Sequence, residues 1–427
     1  MIPSYLSFNV LYFVIVVLNH LLFEVESFTP LGRLAHTSVL VENKLYFLGG
    51  VINDPLKASN GLFYLDVSKQ FDVSTPPWVD PTITIPFGSS YATVAMRNIN
   101  NKPTIYLIGG FNAPLLSTLD LNTSKWSKPF FKDEPLTRSG MKSVIDDTGK
   151  IYIYGGIHYS SPTYGIQYLD EMLILDTVGL SWSDGFTMNS PKDRFDFTAT
   201  FLPNGIIVYI GGIIVAISGN KEVDIGEIKL YNTNLSIWTT ETAKLVNPIE
   251  NRFGHTAVLA PDGKVIVYGG VKSVGEIRQQ VVPDLAVLNT NIKPFEWTVP
   301  SVSSGVKVPS LAYHTANLVG DYMIVAFGNI TQKNSGPLEN KNPNIYVMDI
   351  KSYTWVNTLN PPKLGSSSSS TTGSTSSSTT SKPGPMTIAG TTGGIATLII
   401  IISVSYLLYR KKRTIIYAPQ AKHAINC

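Results

Sequence analysis

One phrase recurs six times along the chain: an apolar run that closes on two glycines. It reads KVIVYGGV over 264–271, with copies ending at Val51, Phe111 and Ile157 and one around Gly211 and Gly212. A sixth copy, MIVAFGNI, ends at Ile330 and carries Phe327 where the first glycine is expected. The second glycines are Gly50, Gly110, Gly156, Gly212, Gly270 and Gly328. Each is followed by one tryptophan: Trp78, Trp126, Trp182, Trp238, Trp297 and Trp355. Self-similarity at a period of roughly 50 residues constrains a fold more than any local motif, because each unit must bury its faces against its neighbours.

Four apolar stretches recur in each unit. In the fifth they start at His255, Lys264, Asp284 and Phe295, separated by PDG and polar loops. Short runs rich in Val, Ile and Tyr, bounded by turn residues, predict strands. Four strands per unit of about 50 residues is the pattern of a propeller blade. The units span 28–80, 86–128, 135–184, 192–240, 250–299 and 309–357. The glycine pair predicts a strand end with positive φ and close backbone approach. The tryptophans predict packing between blades.

Taken together, the apolar run, the diglycine and the spaced tryptophan resemble kelch repeats, over residues 28 to about 357. The resemblance extends to the propeller of galactose oxidase and related kelch-type proteins. It implies that the strand near RLAHTSV lines a central channel and that the tryptophan strand is outermost. It also implies rim residues that bind partners. The galactose oxidase cofactor needs a tyrosine cross-linked to a cysteine, and Cys427, the last residue, is the chain's one cysteine. That cofactor therefore has no partner residue in the propeller.

Two columns of the repeat carry chemistry. His36, His255 and His314 share one position, each followed by threonine, with Tyr91, Met141 and Phe197 placed at the same position elsewhere. If the ring closes, units five, six and one adjoin, and three imidazoles converge either on a metal or on structural hydrogen bonds. Arg33, Arg138, Arg194 and Arg252 recur three residues earlier. They are expected at the channel mouth, either binding a partner's carboxylates or bonding loop carbonyls. The loops after each diglycine, 51–61, 157–168, 213–226, 271–283 and 329–343, are expected to emerge on one face as a recognition surface.

The termini place the protein. Residues 1–27 read as a signal peptide, with an apolar run over 10–23. Residues 361–386 form a Ser/Thr-rich stalk that cannot bury enough apolar surface to fold. Residues 387–409 hold no charge and are long enough to span a bilayer. RKKR follows at 410–413 and puts residues 410–427 in the cytoplasm. Asn122, Asn234 and Asn329 begin N-glycosylation triplets. Gly390 and Gly394 form a G-x-x-x-G pair suited to homodimerisation. Net charge is +3 and charged residues make up 15% of the chain, which gives no basic patch for nucleic acid.

The expected fold is all-β: a six-bladed kelch-type β-propeller, plus one C-terminal transmembrane helix. The expected function is a single-pass type I membrane glycoprotein, at the cell surface or in the secretory pathway. Its extracellular or luminal propeller binds a protein or glycan, without catalysis and without a cofactor. The alternatives are an oxidase-like or other carbohydrate-active propeller enzyme, and a passive cell-surface component.

Overall fold

The computed structural model describes residues 28–52, 57–99, 101–161, 165–216, 219–275, 277–332 and 340–361, with residue 13 alone before them. The signal segment, the stalk beyond residue 361, the expected membrane span with Gly390 and Gly394, and the tail lie outside the described residues. Among the described residues no helix is long and apolar enough to cross a membrane.

From residue 28 onward the described elements are strands, and they form six antiparallel meanders. Each repeat unit supplies its own four strands. In the first sheet these are Thr37–Val41, Lys44–Leu48, Leu62–Asp66 and Trp78–Val79; in the fifth, Thr256–Leu259, Lys264–Tyr268, Leu285–Asn289 and Glu296–Thr298. No strand is exchanged between the first and last units within these meanders. The connecting segments instead add short edge strands. Lys244–Leu245 pairs with Glu296–Trp297, and Ser303–Ser304 pairs with Thr354–Trp355. Thr358–Leu359, the last described strand, pairs with Phe71–Asp72 of the first unit.

The second strand of each sheet is apolar on both faces because both faces are covered. Val265 and Val267 pack against the fourth sheet, with Val208 and Ile210. Ile266 and Tyr268 between them pack against the sixth, with Met323 and Val325. Six such cores join neighbouring sheets, and the last unites the sixth sheet with the first. Each holds one tryptophan, from the later unit of its pair except that Trp78 of the first sheet seals the closing core. Trp297 is fully buried and its indole N–H donates to the carbonyl of Ile225 in the preceding unit at 2.9 Å. Burying such a ring is worth roughly 3–5 kcal/mol against alanine.

The diglycine is the stitch between sheets. In all six units the second glycine N–H donates to a backbone carbonyl of the next unit, at 2.7–3.2 Å; the sixth, Gly328 to Arg33, closes the circle. The first glycine adopts φ near +60°, and a Cβ there would lie 2.1 Å from Leu311 O at Gly269 and 2.2 Å from Arg138 O at Gly109. Phe327 takes this first position in the sixth unit with φ +58, so the turn itself is kept. Its ring fills the closing core, stacked on Trp78 and edge-on to Phe47 and Phe63.

A second ring of bonds surrounds the axis. The N–H groups of Ala35, Tyr91, Gly140, Asp196, Gly254 and Tyr313 each donate to the carbonyl of the preceding member, and Ala35 donates to Tyr313, all at 2.8–3.0 Å. All six residues have φ between 52° and 70°. This left-handed geometry lets each inner strand turn its first amide across the axis.

Candidate functional site

The arginine column lies inside the sheets and not at the mouth. Arg33, Arg138, Arg194 and Arg252 are 0–4% exposed. Each guanidinium bonds the carbonyl of the first glycine in its own unit: Gly49, Gly155, Gly211 and Gly269, at 2.7–3.3 Å. Arg252 also donates to Glu250 O and Pro283 O. Arg138 pairs with Glu171 at 2.7 Å. Burial pushes Arg33, Arg194 and Arg252 down to about 10, which still leaves them charged. Arg33, Arg138 and Arg252 brace the diglycine turn through their forks, whereas Arg194 does so through Nε alone and its two terminal nitrogens are buried without a hydrogen-bond partner among the described residues.

The histidine column is also a brace. Nε2 of His36, His255 and His314 lies 3.0, 3.2 and 2.7 Å from the hydroxyls of Thr315, Thr198 and Thr256, each on the preceding sheet. His36 therefore crosses the closure. Among the described residues no three His, Cys, Asp or Glu side chains come together as a metal site, so the metal expectation for this trio is set aside in favour of the structural one. Burial and neighbouring cations hold all three imidazoles neutral, with His314 pushed down to about 3. The second-unit member of this column is Ala92 and not Tyr91, which stands one residue earlier in the axial ring of amides.

Tyr91 belongs to a different cluster that repeat comparison alone did not reveal. On the diglycine-loop side of the axial ring lies a 270 Å³ pocket lined by Tyr91, Phe111, Tyr159, Asp196, Arg278 and Tyr313, among others. Asp196 is surrounded by protein yet still touches the pocket. Its Oδ2 accepts from the Tyr313 hydroxyl at 2.9 Å, and Arg278 donates to that same hydroxyl at 3.1 Å. Desolvation raises the Asp196 carboxyl, opposed by the Tyr313 bond and by Arg278 and Lys142. Tyr91 stands edge-on to Tyr313, and Phe111 edge-on to Tyr159. The result is an aromatic cup with one carboxylate and one guanidinium in its lining. Its only advance signal is in one repeat column, where Tyr91, Asp196 and Tyr313 alternate with Ala35, Gly140 and Gly254.

Three of the loops after the diglycines are hairpins, from adjacent units: Ile157–Ser161 with Gly165–Tyr168, Ile213–Ala216 with Gly219–Glu222, and Val271–Val274 with Ile277–Gln280. The first and third of them carry exposed apolar side chains, Tyr159 and Ile166, and Val274 and Ile277, at 41–52% exposure. Isolated apolar residues on a surface are ordinary, but a run of them on hairpins beside a pocket marks an interaction face.

Of the glycosylation triplets, Asn122 and Asn234 are exposed. The Asn122 amide donates to Asn101 O at 2.8 Å. Asn329 is corrected: it is 2% exposed, sits on a strand paired with Leu311–Ala312, and bonds Ile330 O through its own amide. A glycan has no room there in the folded protein.

A family model described as Attractin/LZTR1 beta-propeller matches residues 19–272 and 225–397. Human Host cell factor 2 is 32% identical over 142 residues, which covers 30% of this chain and 18% of that protein. Drosophila melanogaster Host cell factor is 23% identical over 314 residues, covering 66% of this chain and 20% of that protein. The chain thus spans about a fifth of the length of these relatives. The solved structure of YjhT aligns with a TM-score of 0.55 at 13% identity, over 77% of this chain and 98% of that one. That likeness carries the fold alone.

Proposed function

This chain belongs to the Attractin/LZTR1 β-propeller family, and from that membership we propose that its six sheets are the blades of one six-bladed kelch-type propeller that binds a protein partner without catalysis. The observation that carries the reading is the asymmetry of the diglycine-loop face. Three neighbouring units raise hairpins beside the Asp196–Tyr313–Arg278 pocket, and the two outer ones carry exposed Tyr159 and Ile166, and Val274 and Ile277. A rim of apolar side chains around a pocket of few, paired charges is how protein interfaces concentrate their binding energy. A glycan is the second reading, favoured by the aromatic rings around that carboxylate and guanidinium, which suit a stacked, hydrogen-bonded sugar.

The placement we propose is a single-pass type I membrane glycoprotein, with the propeller extracellular or luminal on its Ser/Thr stalk. The uncharged 387–409 run followed by RKKR supports it. Glycans at Asn122 and Asn234 follow from it, and glycosidase digestion of the membrane-inserted protein would remove both.

The binding reading is tested on the full-length chain by photocrosslinking from the hairpins, followed by identification of the linked species. Ile166→Asp and Val274→Asp change exposed positions only, so thermal stability should be kept while capture falls at least tenfold. Capture unchanged in both variants would move the interface off this face. A linked species that is a glycan and no protein would favour the second reading.

A further inference from the structure

Below the axial ring of amides, on the side away from the loops, the inner strands enclose a channel cavity of 130 Å³. One column of the repeat lines it. Five units place threonine there, Thr37, Thr93, Thr198, Thr256 and Thr315, and the third places Lys142. These threonines are 4–8% exposed. A single lysine in a threonine ring is a departure that packing does not require.

We propose that this ring is a binding site for a small tetrahedral oxyanion of phosphate or sulfate type, held by the Lys142 ammonium and the threonine hydroxyls. The hydroxyl polarity follows from the histidines. Nδ1 of His36, His255 and His314 is buried without a partner among the described residues. An orphaned acceptor is less costly than an orphaned N–H, which assigns the ring proton to Nε2. Each histidine then donates to its threonine, Thr315, Thr198 or Thr256. Those three hydroxyls are left with their own protons to give, and all three threonines line the channel. Thr93 is held differently: its hydroxyl accepts from the Ser143 amide and pairs with the Ser143 hydroxyl, both at 3.0 Å.

The charge count agrees. Lys142 forms no ion pair among the described residues. The acidic group that acts on it is Asp196, which already takes the Tyr313 bond and faces Arg278. Lys142 and Arg278 both act on that carboxylate, beside three neutral histidines. A half-buried ammonium with an unmatched charge favours an anion beside it. Desolvation lowers the Lys142 ammonium accordingly. Donor groups converging on a positive centre, with no carboxylate in the ring, select an oxyanion.

The test is thermal unfolding of the full-length chain, titrated with sodium sulfate or phosphate against chloride at matched ionic strength. Wild type should show a Tm that rises and then saturates, as one site requires. Lys142→Thr completes the threonine ring. It should match or exceed the wild-type Tm in chloride and lose the saturable rise, leaving the shallow, unsaturated effect that sulfate has on any fold. Lys142→Arg should retain the saturable rise. Lys142→Met repeats the test should the threonine variant fail to fold. A wild type with no saturable rise, or an equal rise in Lys142→Thr, overturns the site. A Lys142→Thr Tm well below wild type in chloride, with no anion effect in either protein, makes Lys142 the counter-ion of Asp196 instead. Saturation by acetate but not by sulfate replaces the tetrahedral occupant with a carboxylate and overturns that part of the proposal.

Discussion

At the scale of single residues, the polar groups that the sequence marks most clearly are structural. Arg252 holds three carbonyls, and the buried one belongs to the diglycine turn. Arg252→Ala strands those acceptors and opens a void. The buried Gly269 acceptor left unpaired costs roughly 1–3 kcal/mol, so chemical denaturation should show a loss of about 1–3 kcal/mol. A loss under about 1 kcal/mol would mean the turn does not depend on its brace. The histidines set a pH dependence. Their folded pKa values lie below the unfolded value of about 6.5. The unfolded chain therefore binds more protons, and stability present above about pH 6.5 is lost as pH falls below it. Each neutral histidine contributes a slope of up to about 1.4 kcal/mol per pH unit. Urea unfolding between pH 7 and 5 should show this decline, and His314→Gln should flatten it by about a third. The raised carboxyls of Asp196 and Asp284 act in the opposite direction, but at lower pH.

At the scale of elements, the strand–diglycine phrase was legible because its demands are local. An apolar run covered on both faces and a turn at φ near +60° both leave marks in residue type. The arginine column was misplaced because its partners are backbone carbonyls, which leave no mark in sequence. The second unit was read one residue out of register because Ala92 follows Tyr91 where the first, fifth and sixth units have histidine. The axial ring of amides and the Asp196–Tyr313–Arg278 contact join residues of different units, and only the packing of the sheets around the axis brings them together. Phe327 tests the phrase most sharply. Phe327→Gly restores the repeat and relieves left-handed strain of about 1–2 kcal/mol. It also empties the space among Trp78, Phe47 and Phe63, at about 3–5 kcal/mol. The variant should be less stable by about 1–4 kcal/mol in denaturant titration. A gain in stability would show that the ring is not holding the closing core.

At the scale of the whole molecule, six equivalent joints matter more than any one of them. Five link units adjacent in sequence, and the sixth must be made across the full length of the ring. It uses every device of the others: the Gly328–Arg33 stitch, the Ala35–Tyr313 amide bond, the His36–Thr315 contact, a buried apolar core and an edge strand. Leu359, fully buried on that edge strand, belongs to the closing core. Leu359→Ala should cost about 2–5 kcal/mol, read as a lower Tm with unfolding still in one transition. Early loss of the first unit's signal, in a separate step, would mean that the units melt independently.

Closure across the sixth joint is most directly measured by a disulfide. Thr358 and Asp72 are opposed partners in the edge pairing, and Cys427 is the one natural cysteine to remove. In full-length protein carrying Cys427→Ser, Thr358→Cys and Asp72→Cys, mild oxidation should join the pair nearly completely, by mass spectrometry of the linked peptides, and raise the Tm. A control pairing Thr358→Cys with Ser127→Cys of the second unit should not link. No bond at 72–358, or equal linking of the control, would contradict a ring closed between the first and sixth units.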